Sequence, residues 1–474
     1  MMIEDFDPSK MSKVTNERFR QWYHIQTPGG WLNDPNGLCF FKGYYHVFYQ
    51  FHPYSAEWGP MHWGHIRSKD LVHWKQLPIA LTPGAPEDRG GCFSGSAVVK
   101  DGRLYLFYTG HNYYGDGDLE HFWENQNMAY SDDGLIFHKY AGNPLIKTPG
   151  DNTQHFRDPK VWKYGDRYYM VVGSQDKLHQ LGRILMYEST DLKQWQPCGP
   201  IASSRNRDQE GWMWECPDLF ALDGQEVLLC SPMGMKSQPE KFMNLSQVCY
   251  SVGHLDYQQH QFAGSQFREL DHGHNFYATQ TMQTPDKRRI FFGWLSPFNE
   301  QMLEQTDGWA GTLTLPRELV LEGGQVKNRP VKELARLRQA GGVDNHLTLD
   351  DEVPVSVSDA QHAEYLFRTS EGDLNGFQWS LNDKQGTLIG VTVHGTKVTL
   401  YRRGAQDQYR YATLAAPIED VHIFVDTSSV ECFINDGAAS FTERYYAAGK
   451  VRATVSGKQV VLDEQVYVLG READ

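Results

Sequence analysis

The sequence has no Cys-x-x-Cys pair, and its seven cysteines (39, 92, 198, 216, 230, 249 and 432) are scattered and odd in number. That pattern argues against a disulfide framework and reads as reduced thiols in a cytoplasmic protein. No stretch approaches the roughly 18 apolar residues of a membrane span. The opening residues, Met-Met-Ile-Glu-Asp-Phe-Asp-Pro-Ser-Lys, carry early acids and no apolar run, so they are not a secretory signal. Basic charge is in short supply. The formal net charge of −14 argues against nucleic acid and anionic membranes as partners. No glycine-rich phosphate loop leads into a helix, and no G-x-S-x-G elbow presents a nucleophilic serine.

Aromatic residues are plentiful, with 13 Trp, 25 Tyr and 24 Phe. Such an excess favours β structure, and sugar C–H faces stack on aromatic rings. Apolar residues make up 40% and charged residues 22% of the chain, a core-forming balance. A length of 474 residues is enough for two or three domains.

One stretch stands out, Trp31-Leu32-Asn33-Asp34-Pro35-Asn36-Gly37. It is poor material for a helix or a strand and good material for a tight turn that holds one carboxylate still. An apolar, aromatic strand follows, and that strand recurs. Gly43-Tyr44-Tyr45-His46-Val47-Phe48-Tyr49 is echoed from Gly102, from Gly165, from Gly224 and, without the glycine, from Asp286. The turn residues 43, 102, 165, 224 and 286 are 59, 63, 59 and 62 residues apart. A second element keeps step: Ser68-Lys69-Asp70, Ser131-Asp132-Asp133 and Ser189-Thr190-Asp191, each leading to an aromatic, with a weaker form at Gly253–Tyr257. Units of about sixty residues holding about four strands make a radial β-propeller. Five copies predict five blades, with the first strand of each lining the central channel.

After Gly323-Gly324 the texture changes. A short basic helix is expected near 329–338, and alternating strands with frequent turns follow. The expected fold class is all-β, a five-bladed β-propeller followed by a C-terminal β-sandwich. The expected boundaries are an N-terminal extension at 1–20, the propeller at 21–324, a linker with a short helix at 325–343 and the sandwich at 344–474.

The repeat locates the chemistry. Asp34, Asp158 and Glu215 (with Asp218) fall at matching places before Gly43, Gly165 and Gly224, so they are expected to meet at one mouth of the channel. Like charges brought together raise at least one pKa, which gives stability nothing. Glycoside hydrolysis does need a carboxylate and a carboxylic acid across the scissile bond. Trp31, Trp58, Trp63, Phe93 and Trp214 would supply sugar platforms, and Ser94 a hydroxyl for the ligand. The blander reading is that these acids cap solvent-facing turns. The competing chemical reading is a metal site drawing on His46, His52, His62 and His65, or on Asp271, His272 and His274. Strand alternation separates those histidines and no cysteine pair joins them, so no metal is assigned.

These residues resemble the β-fructofuranosidases of glycoside hydrolase family 32, the invertase and sucrose-6-phosphate hydrolase group, along nearly the whole chain. Trp31–Leu38 is similar to the family's W-x-N-D-P-N-G box. Phe48-Tyr49-Gln50, Trp58–His65, Phe93-Ser94-Gly95-Ser96, Arg157-Asp158-Pro159 and Glu215-Cys216-Pro217 follow in the family's order, and Ser428–Gly437 looks like its sandwich signature. The resemblance implies a retaining hydrolase that releases fructose from sucrose or sucrose 6-phosphate. Asp34 would be nucleophile, Glu215 general acid/base and Asp158 transition-state stabiliser. Asn33, Gln50, Trp58, Phe93, Ser94, Arg157 and Trp294 would hold the fructosyl unit.

Retention implies carboxyl groups roughly 5–5.5 Å apart. Glu215 is expected to have a raised pKa, and Asp34 to stay ionised through amide and backbone donors. No cofactor is required. The partner is a small sugar, with neither nucleic acid nor membrane, and both monomer and homodimer stay open. Fructan hydrolysis, fructosyl transfer and a non-catalytic sugar-binding propeller are the alternatives on the same scaffold. The family's D-F-Y-A-P-Q segment reads Asn275-Phe276-Tyr277-Ala278-Thr279-Gln280 here, which removes an acid and a proline. A substrate phosphate would need cations at the rim, for which Arg205, Arg207, Lys236 and Lys241 are candidates.

Overall fold

The alternation of apolar residues and turns builds strands almost throughout. In the computed structural model, residues 6–295 and 300–471 are described; the first five residues of the expected N-terminal extension lie outside them. Five sheets, each of four antiparallel meandering strands and all but the third with one short addition, form blades one to five. Their first strands are Gly30–Phe41, Gly91–Lys100, Asn152–Tyr164, Met213–Leu222 and Tyr277–Gln283. Each of these touches the next, and the fifth touches the first, which closes the ring. The predicted five-bladed propeller is the observed one.

The fifth blade runs past Gly323-Gly324. Those glycines, at φ 56° and 73°, are a hairpin turn into an outermost strand, Gln325–Pro330, rather than the end of the blade. The helix that follows, Lys332–Leu337, is 3-10 in form. Two six-stranded sheets then pack face to face as the β-sandwich. Their core is apolar and includes Tyr365, Phe367, Trp379 and Phe441.

The second repeated element is a side-chain-capped turn. Asp70 Oδ1 accepts from the Val72 and His73 N–H groups, Asp133 Oδ1 from Leu135 and Ile136, and Asp191 Oδ1 from Lys193 and Gln194. A carboxylate placed two and three residues before these donors satisfies the backbone of the turn.

The junction of the two domains is ionic and buried. Arg317, with no exposed surface, forks onto Glu431 at 2.8 and 2.6 Å and reaches Asp271 at 2.9 Å. His24 bridges Asp426 and Glu431 at 2.7 and 2.9 Å. Asn275, where the family pattern has an acid, accepts from the Arg444 N–H at 2.7 Å. Its amide serves the junction. All seven cysteines are free, and no helix among the described residues is long and apolar enough to cross a membrane.

Candidate active site

All five innermost strands are bulged. The register slips between Leu32 and Pro35 and between Asn36 and Cys39 in blade one, Phe93 and Gly95 in blade two, Arg157 and Lys160 in blade three, Glu215 and Asp218 in blade four, and Tyr277 and Gln280 in blade five. A bulge sharpens the local twist and re-aims side chains. Four of the five carry a residue in the left-handed region: Gly37 (φ 56°), Asp158 (66°), Cys216 (49°) and Ala278 (50°). Non-glycine residues there cost about 1–2 kcal/mol each. Gly37 admits no side chain, because a Cβ would sit 2.7 Å from the Phe48 ring. At Gly95 it would sit 1.9 Å from the Phe107 carbonyl.

The bulges turn three carboxylates onto one another, and Cys216 ties them together. Its N–H donates to Asp158 Oδ2 at 2.8 Å, and its thiol lies 3.9 Å from Asp34 Oδ2. Ser94 Oγ donates to Asp34 Oδ2 at 2.6 Å, and Asn33 Nδ2 to Asp34 Oδ1 at 3.0 Å. Asn33 is itself oriented by Trp31 Nε1 at 2.8 Å. Further along the axis, Lys160 Nζ bonds Asp218 Oδ2 at 2.9 Å and the Thr281 carbonyl at 2.6 Å. Gln280 Nε2 bonds the Gly95 carbonyl at 2.6 Å. Asp218 is therefore part of the polar packing inside the ring, and the three acids stand apart from it.

Burial is the main cause of the unusual titration here. It pushes Asp34 up to about 6, against the downward pull of the Ser94 and Asn33 hydrogen bonds. It pushes Asp158 up to about 8, reinforced by the charge of Glu215. The expected amide donor to Asp34 is Asn33, and the other donor is the Ser94 hydroxyl, where backbone groups were expected. Nor does Glu215 sit in an apolar pocket. Arg157 grips its Oε1 through Nε at 2.9 Å and Nη2 at 2.7 Å, and Tyr277 Oη donates to its Oε2 at 2.5 Å.

Of the expected platforms, Trp58 is half exposed and meets the Phe93 ring edge-on at 6.0 Å. Trp294 packs on Trp31 at 5.9 Å. Trp63 and Trp214 are core residues. Their indole N–H groups bond the carbonyls of Phe93 and Glu210, so they are not platforms. Gln50 is buried and bonds the Cys92 carbonyl at 3.0 Å.

The histidines weighed for a metal do not assemble. His46 and His65 bond each other at 2.9 Å, His52 bonds the Glu57 carbonyl and His62 the Pro60 carbonyl, and His274 bonds Glu443. Of the cations weighed for a phosphate, three have partners or a cavity of their own. Arg205 pairs with Glu210 and Lys236 with Asp208. Arg205 and Lys241 line a cavity of about 890 Å³ with Arg268, Lys327 and sandwich residues, and none of the three acids lines it.

Sequence reasoning missed Glu124. This buried carboxylate accepts from the Phe156 N–H at 2.8 Å, from Arg157 Nη1 at 3.2 Å and from His111 at 3.2 Å. His111 in turn lies flat on Phe93 at 4.2 Å. The available signal was the polar run Glu124-Asn125-Gln126-Asn127 inside a strand bounded by apolar residues. Four buried polar side chains in succession require a hydrogen-bond network. Tyr277 was likewise visible but unassigned.

Residues 24–330 match the glycosyl hydrolases family 32 N-terminal domain, and residues 333–467 match the family 32 C-terminal domain. A sucrose-6-phosphate hydrolase of Zymomonas mobilis subsp. mobilis is 41% identical over 91% of this chain and 87% of its own length. A raffinose invertase of Escherichia coli is 37% identical over 97% of this chain and 98% of its own length. Among solved structures, a Bombyx mori β-fructofuranosidase variant in complex with sucrose superimposes with a TM-score of 0.88. It has 37% identity and covers 98% of this chain and 96% of its own.

Proposed function

The chain belongs to glycosyl hydrolase family 32, and from that premise we propose that it hydrolyses the terminal β-D-fructofuranoside of sucrose or sucrose 6-phosphate with retention. The supporting observation is the meeting of Asp34, Asp158 and Glu215 around Cys216, with Arg157 forked onto Glu215. Glu215 donates its proton to the glycosidic oxygen as Asp34 attacks the anomeric carbon of the fructosyl unit. This gives a fructosyl ester on Asp34 and frees the glucosyl alcohol. Glu215, now a carboxylate, takes a proton from water. The water attacks the same carbon, and Asp34 leaves. Asp158 hydrogen-bonds the ring hydroxyls most strongly as the oxocarbenium character peaks.

Asn33 and Ser94 hold Asp34 in place, and Trp31, Trp58, Phe93 and Trp294 frame the furanose. Gln50 completes the pocket from behind. The free thiols support a cytoplasmic setting.

Asp34→Asn should abolish sucrose cleavage while the fold is kept, and a variant with wild-type turnover would overturn the assignment. NMR of the first-formed fructose should show the β-anomer. The α-anomer would point to inversion instead.

A further inference from the structure

The outer strands of blades three and four bring together three ligand types that the sugar chemistry does not use. Glu188 lies on strand Gly182–Ser189, Cys198 on strand Gln196–Ser203, and His260 in the turn joining Cys249–Asp256 to Gln261–Gly264. One carboxylate oxygen, the thiol sulfur and one imidazole nitrogen all lie within 4.8 Å of one another. Among the described residues this is the one group of three or more His, Cys, Asp and Glu side chains that converges so. We propose that Glu188, Cys198 and His260 form a site for one soft divalent cation of the Zn²⁺ class, clipping blade three to blade four.

The local structure supports the assignment at each ligand. Cys198 is the extra residue of a bulge: Met186 pairs with Gly199 and Tyr187 with Pro197, which leaves Cys198 opposite no residue. A bulged residue leaves the alternation of the sheet, and this one is turned toward Glu188. Its thiol makes a long contact of 3.9 Å to the Gln196 carbonyl. His260 is held at φ 54°. Its turn is docked on blade three by Gln261 Nε2, which bonds the Pro200 carbonyl at 3.2 Å, and by Tyr257, which stacks on Tyr164 at 3.8 Å. Arg167 donates to Glu188 Oε1 at 2.8 Å, and a carboxylate has acceptor capacity on both oxygens for a further partner.

Ligands about 2.0–2.3 Å from a tetrahedral zinc stand roughly 3.3–3.8 Å apart, so a closure of about 1 Å completes three corners and water takes the fourth. Binding replaces the thiol proton with the metal and releases that proton to solvent. Thiolate, imidazole and carboxylate together favour Zn²⁺ or Cd²⁺ over Mg²⁺ or Ca²⁺.

The test is titration of the reduced full chain with Cd²⁺ and Zn²⁺. The expected result is saturable one-to-one uptake, an ultraviolet thiolate-to-Cd²⁺ charge-transfer band and a rise in Tm with Zn²⁺. Cys198→Ser should lose the band and the Tm rise, and His260→Ala should weaken binding at least tenfold. Sucrose turnover should be unchanged in both variants, which reports intact folding. A band that survives in Cys198→Ser places the thiolate elsewhere and overturns the proposal. So does equal affinity in His260→Ala, or a wild type that takes up neither ion saturably.

Discussion

Glu124 and Glu215 hold the same guanidinium from opposite sides. Arg157 gives Nη1 to Glu124 Oε2 at 3.2 Å and both Nε and Nη2 to Glu215 Oε1. The group assigned to proton transfer is therefore aimed by an arginine that is itself aimed by a buried acid on the neighbouring blade.

Burial alone would raise the Glu124 carboxyl. The Arg157 charge and the His111 hydrogen bond more than offset it and hold the group at about 2. A carboxyl depressed from 4.5 contributes stability that is present above pH 4.5 and lost as pH falls toward 2, here about 3 kcal/mol. Glu124→Gln should lower Tm at pH 7 and flatten its fall between pH 4.5 and 2. It should also lower kcat on sucrose roughly ten- to hundredfold with little change in KM, because Arg157 is no longer held in register. An unchanged kcat would make Glu124 a purely structural residue.

The acid limb of the pH–rate profile tests Asp34. Its carboxyl is pushed up to about 6, mainly by burial, with Ser94 and Asn33 pulling it back. Below that pH the group takes a proton and cannot attack. kcat/KM should therefore fall through about pH 6 as acid is added. Ser94→Ala removes a hydrogen bond to the charged form, so the limb should move to higher pH. A limb that stays put in Ser94→Ala would mean that another group sets it.

The propeller was readable because a radial repeat copies its turn residues at a fixed spacing, and the three acids were readable because they sit at equivalent places in that repeat. The tie between them was not. Cys216 acts through a backbone N–H and a left-handed φ, neither of which a residue's identity reveals. Trp63 and Trp214 look like Trp58 in one dimension, yet the strand register sends them into the core. The fifth blade's last strand was hidden behind Gly323-Gly324, since paired glycines mark a hairpin as readily as a boundary.

Asp158 carries a stability cost that a variant should release. Burial, then the Glu215 charge, pushes it up to about 8. A carboxyl raised from 3.8 imposes no penalty below pH 3.8, and an increasing one as pH climbs toward 8. Asp158→Asn should lose most activity yet gain several kcal/mol of stability at pH 8, with the gain vanishing near pH 4. Denaturant midpoints across that range would show it. A pH-independent difference would locate the effect in packing.

The junction should respond to alkali in a way that separates from the active site. Burial of His24 disfavours its charge, but the hydrogen bonds and charges of Asp426 and Glu431 outweigh that and raise it from 6.5 to about 9. A histidine with a raised folded pKa contributes stability that is complete below pH 6.5 and lost as pH rises through 9, here about 3 kcal/mol. This window overlaps that of Asp158 but ends higher. In Asp158→Asn, where the site penalty is gone, the remaining fall in Tm between pH 6.5 and 9 should belong to His24. Adding His24→Gln to that background should lower Tm at pH 6 and remove most of the fall. It should leave Tm at pH 10 nearly unchanged, because both forms are then neutral at position 24. If the double variant still loses stability steeply across that window, the alkaline weakness lies outside the His24–Asp426–Glu431 clasp.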